Sequence, residues 1–475
     1  MATVSTAFNI ATGALDADQA ALNIIANNTA NVNTPGYTQE RPVWVERDSA
    51  SLGGASFGTG VQMTGPQSQR DRVLEQAAQQ QAQLVSASSS RLSALNQMQG
   101  LFSGATSANS AAGAGSGIGS DLSNFFDTLS ALGGNPAGIA SRQNVLSAAT
   151  NLAQDLNGAV AQLQTQQQGL DEQSGSVVEQ ANTLLENIAQ LNLQIGSTSP
   201  DQDAGTLEDQ RQQDLTSLSQ LIGIRTVPTE DNGLSVTTMD GALLVAQGQA
   251  YTITTGQKGG LAHYFDSQGS DITADLASGG QLGGILTARD QDIPQVVNAL
   301  DTLAYSVATQ MNTLNGQGSD LNGNPGGAIF SLPAGVTATN PAGSAGQIAV
   351  VMTDPSTIAA AALGAGSLDN SNATAMADQQ NAGIVNGISP TAWFSDMVTS
   401  LGSLTSEVST ENTAQQAGLT QLNDQIGAIS GVNLNDEAAA LEQLEQSYQA
   451  ASKLFTILDQ VMVSALNLGV TTSYT

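Results

Sequence analysis

The stretch LEQLEQSYQAASKLFTILDQVMVSA, residues 441–465, decides the fold class. Leu441, Leu444, Tyr448, Ala451, Phe455, Leu458, Met462 and Ala465 follow one another at alternating steps of three and four. These are the a and d positions of four heptads, so a single apolar seam runs the length of a helix. Just upstream, Asn433 and Asp436 supply an N-cap and an acidic first turn, both favourable at a helix start. From there to Leu468 the helix would span roughly 50 Å. At the opposite end Phe8, Ala11, Leu15, Leu22 and Ile25 form a narrower seam, broken where Asp18 takes an apolar position. That helix runs into Asn27, Asn28, Asn31 and Asn33, poor helix formers, and must stop before Pro35. In Thr34-Pro35-Gly36-Tyr37 the proline fixes φ and the glycine accepts a positive φ, the requirements of a type II turn. Chain ends ordinarily fray, so two long seams at opposite ends predict that they pair.

Between the ends, helical spacing is expected over about 70–102, 142–195, 206–222, 284–315 and 391–428, with Gln- and Asn-rich polar faces. One interlude has strand character: Ile224–Val227, Leu234–Thr237, Leu243–Val245 and Tyr251–Ile253, with Asn232-Gly233 and Asp240-Gly241 as hairpin turns. The Gly-, Ser-, Ala- and Asn-rich tracts 103–120 and 315–346 read as loops. The expected fold is therefore mainly α, with paired terminal helices and a helical bundle carrying a small β-hairpin insertion.

With 475 residues and 40% hydrophobic content, the chain can build two or three domains. Its 41 acidic residues against 11 basic ones give a net charge of −30, which excludes nucleic acid and anionic membrane surfaces as partners. No window has the length and apolarity of a membrane span, and no basic segment leads into an apolar one at the N-terminus, so no cleavable secretory signal is expected. Cysteine is absent and His263 is the only histidine. No thiolate site, histidine metal cluster or Ser-His-Asp triad can be assembled, and His263 is expected on the surface or in a loop. Asp320-Leu321-Asn322-Gly323-Asn324 starts like a calcium loop but continues with Pro325 and has Ser331 where the bidentate glutamate belongs, so a turn is expected. The glycines of 113–119 have no lysine to make a phosphate cradle. Glu437, Glu442 and Glu445 are expected on the solvated face of the C-terminal helix rather than as a hydrolytic pair. No enzyme and no cofactor are indicated. Residues 1–35 carry Asp16 and Asp18 with no cation, and residues 433–475 carry five acids against Lys453 alone. Such helices gain no Coulomb attraction from pairing, and burial among many copies would supply what one pair lacks.

Residues 26–37, Ala-Asn-Asn-Thr-Ala-Asn-Val-Asn-Thr-Pro-Gly-Tyr, resemble the N-terminal signature of the bacterial flagellar rod, hook and hook-associated axial proteins. The motif comprises Asn27, Asn28, Asn31, Asn33, Pro35, Gly36 and Tyr37. Leu207-Glu208-Asp209-Gln210-Arg211 with Leu215, Leu218, Leu221, Ile222 and Gly223, and Gly283-Gly284-Ile285-Leu286 with Arg289, look like interior elements of the hook-associated members. Residues 430–437, entering the heptads, are similar to the C-terminus of those members. The resemblance implies a structural subunit at the junction of hook and filament, exported unfolded through the flagellar type III apparatus and polymerised outside the cell. It implies an inner coiled-coil domain, 1–40 with 431–475, whose assembly interface includes Phe8, Leu15, Leu22, Ile25, Leu441, Leu444, Tyr448, Phe455, Leu458 and Met462. Residues 41–430 would form a mainly helical domain with a β segment near 224–265. Expected partners are further copies, the hook protein, a second junction protein and an export chaperone on the C-terminal helix. After Met311–Asn315 the family often carries a β-rich outer domain, for which this chain has only a Gly-, Pro- and Ala-rich stretch. Another axial subunit, such as a hook or rod protein, is the nearest alternative. A hook protein would lack the helical block at 142–222. A secreted wall-acting enzyme would need a convergent polar pocket, and a coiled-coil adhesin would act without flagella.

Overall fold

A computed structural model describes residues 2–52, 55–102, 117–199 and 203–467. Residues 103–116 of the tract expected as a loop, and residues 1 and 468–475 of the two terminal segments, lie outside the described residues. The chain starts with helix α1 (Ala2–Ala30), followed by strands β1 (Glu40–Glu46), β2 (Ala50–Leu52), β3 (Ala55–Phe57) and β4 (Val61–Ser68). Helices α2 (Arg72–Phe102), α3 (Ile118–Gly134), α4 (Ile139–Thr198) and α5 (Thr206–Leu221) come next. The β segment holds β5 (Ile224–Pro228), β6 (Leu234–Thr238), β7 (Leu243–Ala246), β8 (Gln249–Ala250), β9 (Thr254–Lys258) and β10 (Leu261–Phe265). Short α6 (Thr273–Leu276) and α7 (Gly280–Thr287) lead through a π-helical turn, Ala288–Asp292, into α8 (Ile293–Gln317). Two-residue strands β11 (Gly318–Ser319), β12 (Phe330–Ser331), β13 (Ala349–Val350) and β14 (Ala361–Ala362), with short α9 (Ser344–Gln347) and α10 (Ser371–Ala377), fill the stretch before α11 (Pro390–Ser430) and α12 (Leu434–Asn467).

Helix α4 is the spine. At 60 residues it is about 90 Å long, and one face, including Leu146, Leu156, Leu163, Leu170, Val177, Leu185, Ile188 and Ile195, is buried along nearly the whole length. α3 covers its first half, where Phe125 meets Phe330 edge-on with ring centroids 5.8 Å apart. α5 and the four-stranded antiparallel sheet β5-β6-β7-β8 cover its second half. α2 lies between α11 on one side and α7 and α5 on the other. The crossing with α7 explains the glycine at 284, where a Cβ would stand 2.1 Å from the Ala87 carbonyl oxygen; at Gly283 a Cβ would instead meet the Ala277 carbonyl at 2.9 Å. Arg289, fully buried in the π-helical turn, donates to Asp171 of α4 at 2.5 Å, Asp290 at 2.7 Å and the Ala262 carbonyl of β10 at 3.0 Å. One guanidinium thus holds three elements together, and its charge is met inside the core.

The strand interlude differs from expectation at its end. Tyr251–Ile253 is not a strand, because the Asn182 side chain of α4 takes both polar backbone groups of Ile253 at 2.8 and 2.9 Å. The fourth strand is the two-residue β8, and a separate hairpin β9–β10 turns on Gly259 and Gly260, both at positive φ. The turn between β5 and β6 is wider than Asn232-Gly233: Asp231 and Asn232 hold the positive φ, and Thr229 N bonds to Gly233 O at 3.0 Å. Residues 118–120, expected in a loop, open α3, where Ile118 is fully buried. His263 lies in strand β10, not a loop, with Nδ1 2.9 Å from Asp271. Thr273 bonds first and His263 after it hold the Asp271 carboxyl down to about 2. Asp320 caps its own turn, accepting from the backbone N–H groups of Asn322 and Asn324 at 2.8 Å.

Several carboxyls are pushed the other way. Burial first, then a hydrogen bond to Asp155 of α4, raise Asp121 from 3.8 to about 6. Glu40, Glu75, Asp209, Asp214 and Asp301 are also raised, each chiefly by burial. A carboxyl held more tightly protonated in the folded state contributes stability that is complete below its ordinary pKa and lost as pH rises through the shifted one. The melting temperature should therefore fall as pH rises from below 3.8 to above about 6. Asp121→Asn should flatten the upper part of that decline. A melting temperature rising over this interval, measured by circular dichroism, would contradict the assignment.

Candidate assembly interface

α1 and α12 form an antiparallel pair. Phe8 meets Phe455 with ring centroids 4.4 Å apart, while at the other end Asn28 bonds to Glu437. Small residues set the spacing. Ala11, Ala17 and Ala21 are buried on α1, which packs against α12 and the β1–β4 hairpin. A Cβ on Gly13 would come within 3.2 Å of the Val61 carbonyl, so the hairpin backbone lies directly over α1. In the hairpin, Pro42 faces Pro66 and the register shifts between Val43 and Trp44.

Only part of the seam closes within one chain. Ile25 is buried, and Phe8, Leu15, Leu22, Leu444, Phe455 and Leu458 are half-buried. Leu441, Tyr448 and Met462 are instead 37–39% exposed. Sequence reasoning missed a second apolar row, Leu454, Ile457 and Val461, which is open to solvent with Val463 and Leu466. Its own spacing of three and four was the available signal, masked because the heptad seam beside it is longer. A helix apolar on more than one side needs more than one partner.

Where the pair joins the rest of the chain, a buried polar knot replaces apolar packing. Asn28 is 1% exposed and its amide is fully used. Nδ2 donates to the Glu40 carbonyl at 2.8 Å and to Glu437 Oε1 at 3.0 Å. Oδ1 accepts from the Tyr37 hydroxyl at 2.8 Å and the Glu40 N–H at 3.0 Å. Gln39 Nε2 donates to the same Glu437 oxygen at 2.7 Å, and its backbone N–H to Ser430 O at 2.8 Å. Glu437 is thus buried, against the expectation of a solvated side chain, because two amides compensate its charge there; Glu442 and Glu445 are exposed. Burial, reinforced by the Glu40 carboxylate, pushes the Tyr37 phenol up and keeps it a donor.

The next residue carries the knot to α5. Thr38 N donates to Asp209 at 3.1 Å, and Arg70 pairs with the same carboxylate. Arg72 reaches Glu208, and Arg211 donates to Asn192 and to the Asn232 carbonyl, both at 2.8 Å. Tyr37 N bonds to Thr34 O at 3.2 Å and Gly36 has φ +76°, the type II turn expected. Gln213 donates to the Pro35 carbonyl at 2.8 Å, and a Cβ on Gly36 would lie 2.4 Å from its Nε2. Asn31 and Thr34 close the end of α1 locally, through Asn27 and Asn31. Asn33 is exposed. The motif at 27–37 and Leu207–Arg211, separate in sequence, therefore meet in one place. Gln39, Glu40 and Glu437 belong to it and were not legible as such.

Among the described residues, no three His, Asp or Glu side chains gather as a metal site, and no helix is long and apolar enough to cross a membrane.

Residues 95–330 match the model of the flagellar hook-associated protein FlgK helical domain, and residues 8–38 that of flagella basal body rod proteins. The chain is similar to flagellar hook-associated protein 1 of Escherichia coli (strain K12), 26% identical over 98% of this chain and 100% of that one. It is also similar to flagellar hook-associated protein 1 of Bacillus subtilis (strain 168), 27% identical over 96% of each. Its fold is shared with the flagellar hook junction protein FlgK from Burkholderia pseudomallei, with a TM-score of 0.66 and 19% identity over 76% of this chain and 100% of that one. Paired terminal helices, a polar knot and a helical body define a structural subunit of the bacterial flagellum, which assembles with other flagellar subunits. Within that class, the chain is similar to flagellar hook-associated protein 1 over nearly its whole length.

Removing the Asn28 amide strands the Glu40 N–H in a buried setting and leaves Glu437 with Gln39 as its remaining amide donor, at a cost of about 1–3 kcal/mol. Asn28→Ala should lower the protection of α1 amides in hydrogen exchange, and Asn33→Ala should leave it unchanged. Equal protection in both variants would remove Asn28 from this role.

Proposed function

We propose that this chain joins the flagellar hook to the filament; its relatives are named as hook-associated proteins and the Burkholderia pseudomallei protein as a hook junction protein. The observation that carries this is the α1–α12 pair. After pairing it still exposes Leu441, Tyr448, Leu454, Ile457 and Val461 along one helix, a surface suited to further axial subunits. In this reading residues 1–40 with 431–475 form the inner coiled coil, and residues 41–430 the mainly helical domain outside it. Among the described residues, no large β-rich domain is inserted between α8 and α11. In support, alignment with the E. coli relative runs over 559 positions and with the B. subtilis relative over 503, both exceeding the 475 residues here. Those relatives carry residues without a counterpart in this chain.

The chain leaves the cell unfolded through the flagellar type III apparatus and acts outside it. Its neighbours are further copies, the hook protein and a second junction protein, and it catalyses no reaction. Before export a chaperone covers the C-terminal helix, whose apolar rows suit helix-in-groove recognition. A second reading, another axial subunit such as a rod protein, draws on the match over 8–38. The match across 95–330 weighs for the junction.

A strain lacking the gene should make hooks without filaments and lose filament protein to the medium, and the intact gene should restore filaments. Leu458→Asn places an amide in the half-buried seam, where an unpaired amide costs roughly 1–3 kcal/mol. It should weaken both chaperone binding and restoration of filaments, while exposed Glu445→Gln weakens neither. Full filaments in the deletion strain would rule out the junction role, and wild-type behaviour of Leu458→Asn in both assays would remove the seam from it.

A further inference from the structure

Asp18 is the anomaly of the inner pair. It is 8% exposed, and its Oδ2 has no hydrogen-bond partner. It lines an open groove of about 530 Å³ between α1, β1 and α12, together with Ile25, Trp44, Gln443, Leu444 and Ser447. A carboxylate oxygen that has left water without gaining a partner is costly, and the residue that carries it lines a space large enough to admit a side chain. Arg41 stands on the same groove, exposed, without bonding to that oxygen.

With Arg41 not bonded to that oxygen, the next cation to consider is further away on the same chain. α1 has no basic residue and α12 has Lys453 alone. Lys453 is exposed, forms no ion pair among the described residues and is followed by Leu454 and Ile457, both open to solvent. Asp18 shares its groove with α12 residues up to Ser447, so Lys453 of the same chain lies six residues further, about 9 Å along the axis. A groove lined by the carboxylates Asp18, Glu40, Asp436 and Glu437 and a face of α12 whose one cation is Lys453 are thus complementary in charge, and their separation along the axis keeps them from meeting within one molecule. Two different complementary patches on one chain make a head-to-tail contact, which repeats until it closes a ring or continues as a helix.

We propose that α12 of a second copy lays its Lys453–Ile457 face in this groove and pairs the Lys453 ammonium with Asp18. The proposal rests on the reading of the chain as a self-assembling junction subunit, and names the residues that fix the register between copies.

The absence of cysteine from the chain gives cross-linking a clean background. Two differently tagged copies, one Asp18→Cys and the other Lys453→Cys, are co-expressed in the deletion strain, and isolated flagella are treated with a short bismaleimide. A cross-linked dimer carrying both tags is expected. If Asp18→Cys does not assemble, Gln443→Cys on the exposed wall of the groove replaces it. In parallel, Lys453→Glu should reduce filament number roughly tenfold or more, as expected for like charges at a desolvated contact. Asp18→Asn in the same chain should restore filaments by removing the repulsion. Cross-links only to a different protein, no two-tag dimer in flagella that bear filaments, or full filament number with Lys453→Glu would each overturn the pairing. None of these outcomes touches the junction role, which stands or falls with restoration by the unaltered chain.

Discussion

The amide of Asn28 is the contact on which the arrangement of this chain depends. It is one side chain with two donor and two acceptor positions, and it joins a helix near the start of the sequence to the first turn of another 409 residues later. The same amide fixes the strand that leaves the turn. Because all four bonds are made away from water, each strengthens the others, and loss of one partner leaves the rest uncompensated. An apolar contact here would hold the helices together but would not fix their rotation. The amide does fix it, and Gly36 sets the direction in which the chain departs.

Around this knot the molecule divides its stabilising interactions. The body draws on a continuous core along α4, sealed by buried guanidinium groups whose charges are met by carboxylates or carbonyls, as with Arg142 and the Pro136 carbonyl. That core is closed within one chain. The terminal pair is different: it has no charge attraction to draw on and keeps apolar rows open. Its stability is therefore tied to association by mass action, whereas the body can be stable alone.

Much of this was legible in the sequence, for identifiable reasons. The heptads of α12, the proline–glycine turn at 35–36 and the long helices follow from periodicity and backbone restriction, which act locally. The β1–β4 hairpin escaped notice because Glu40–Glu46 carries Pro42 and has Trp44, not a polar residue, between Val43 and Val45, so no alternation marks the strand. Tyr251–Ile253 looked like a strand because its side chains suit one, but an asparagine from α4 bonds its backbone. Glu437 was misread for the same reason in reverse. A glutamate on a helix is ordinarily solvated, and only the arrival of Asn28 and Gln39 from the far end of the chain makes its burial tolerable. Local rules fail where a partner distant in sequence decides the environment.

The separation between α1 and α12 also bears on the order in which the chain can fold. In the body, α3 and α5 pack on α4, their neighbour in sequence, and such local contacts close fast, whereas α2 must wait for α11 near the other end of the chain. The terminal pair has the longest loop to close and is completed only after its last helix is free. In a chain whose N-terminus is free first, α2 and α1 would thus both wait, for α11 and α12 in turn. The step that completes the terminal pair is the last one, because α12 is the last helix of the described chain to become free.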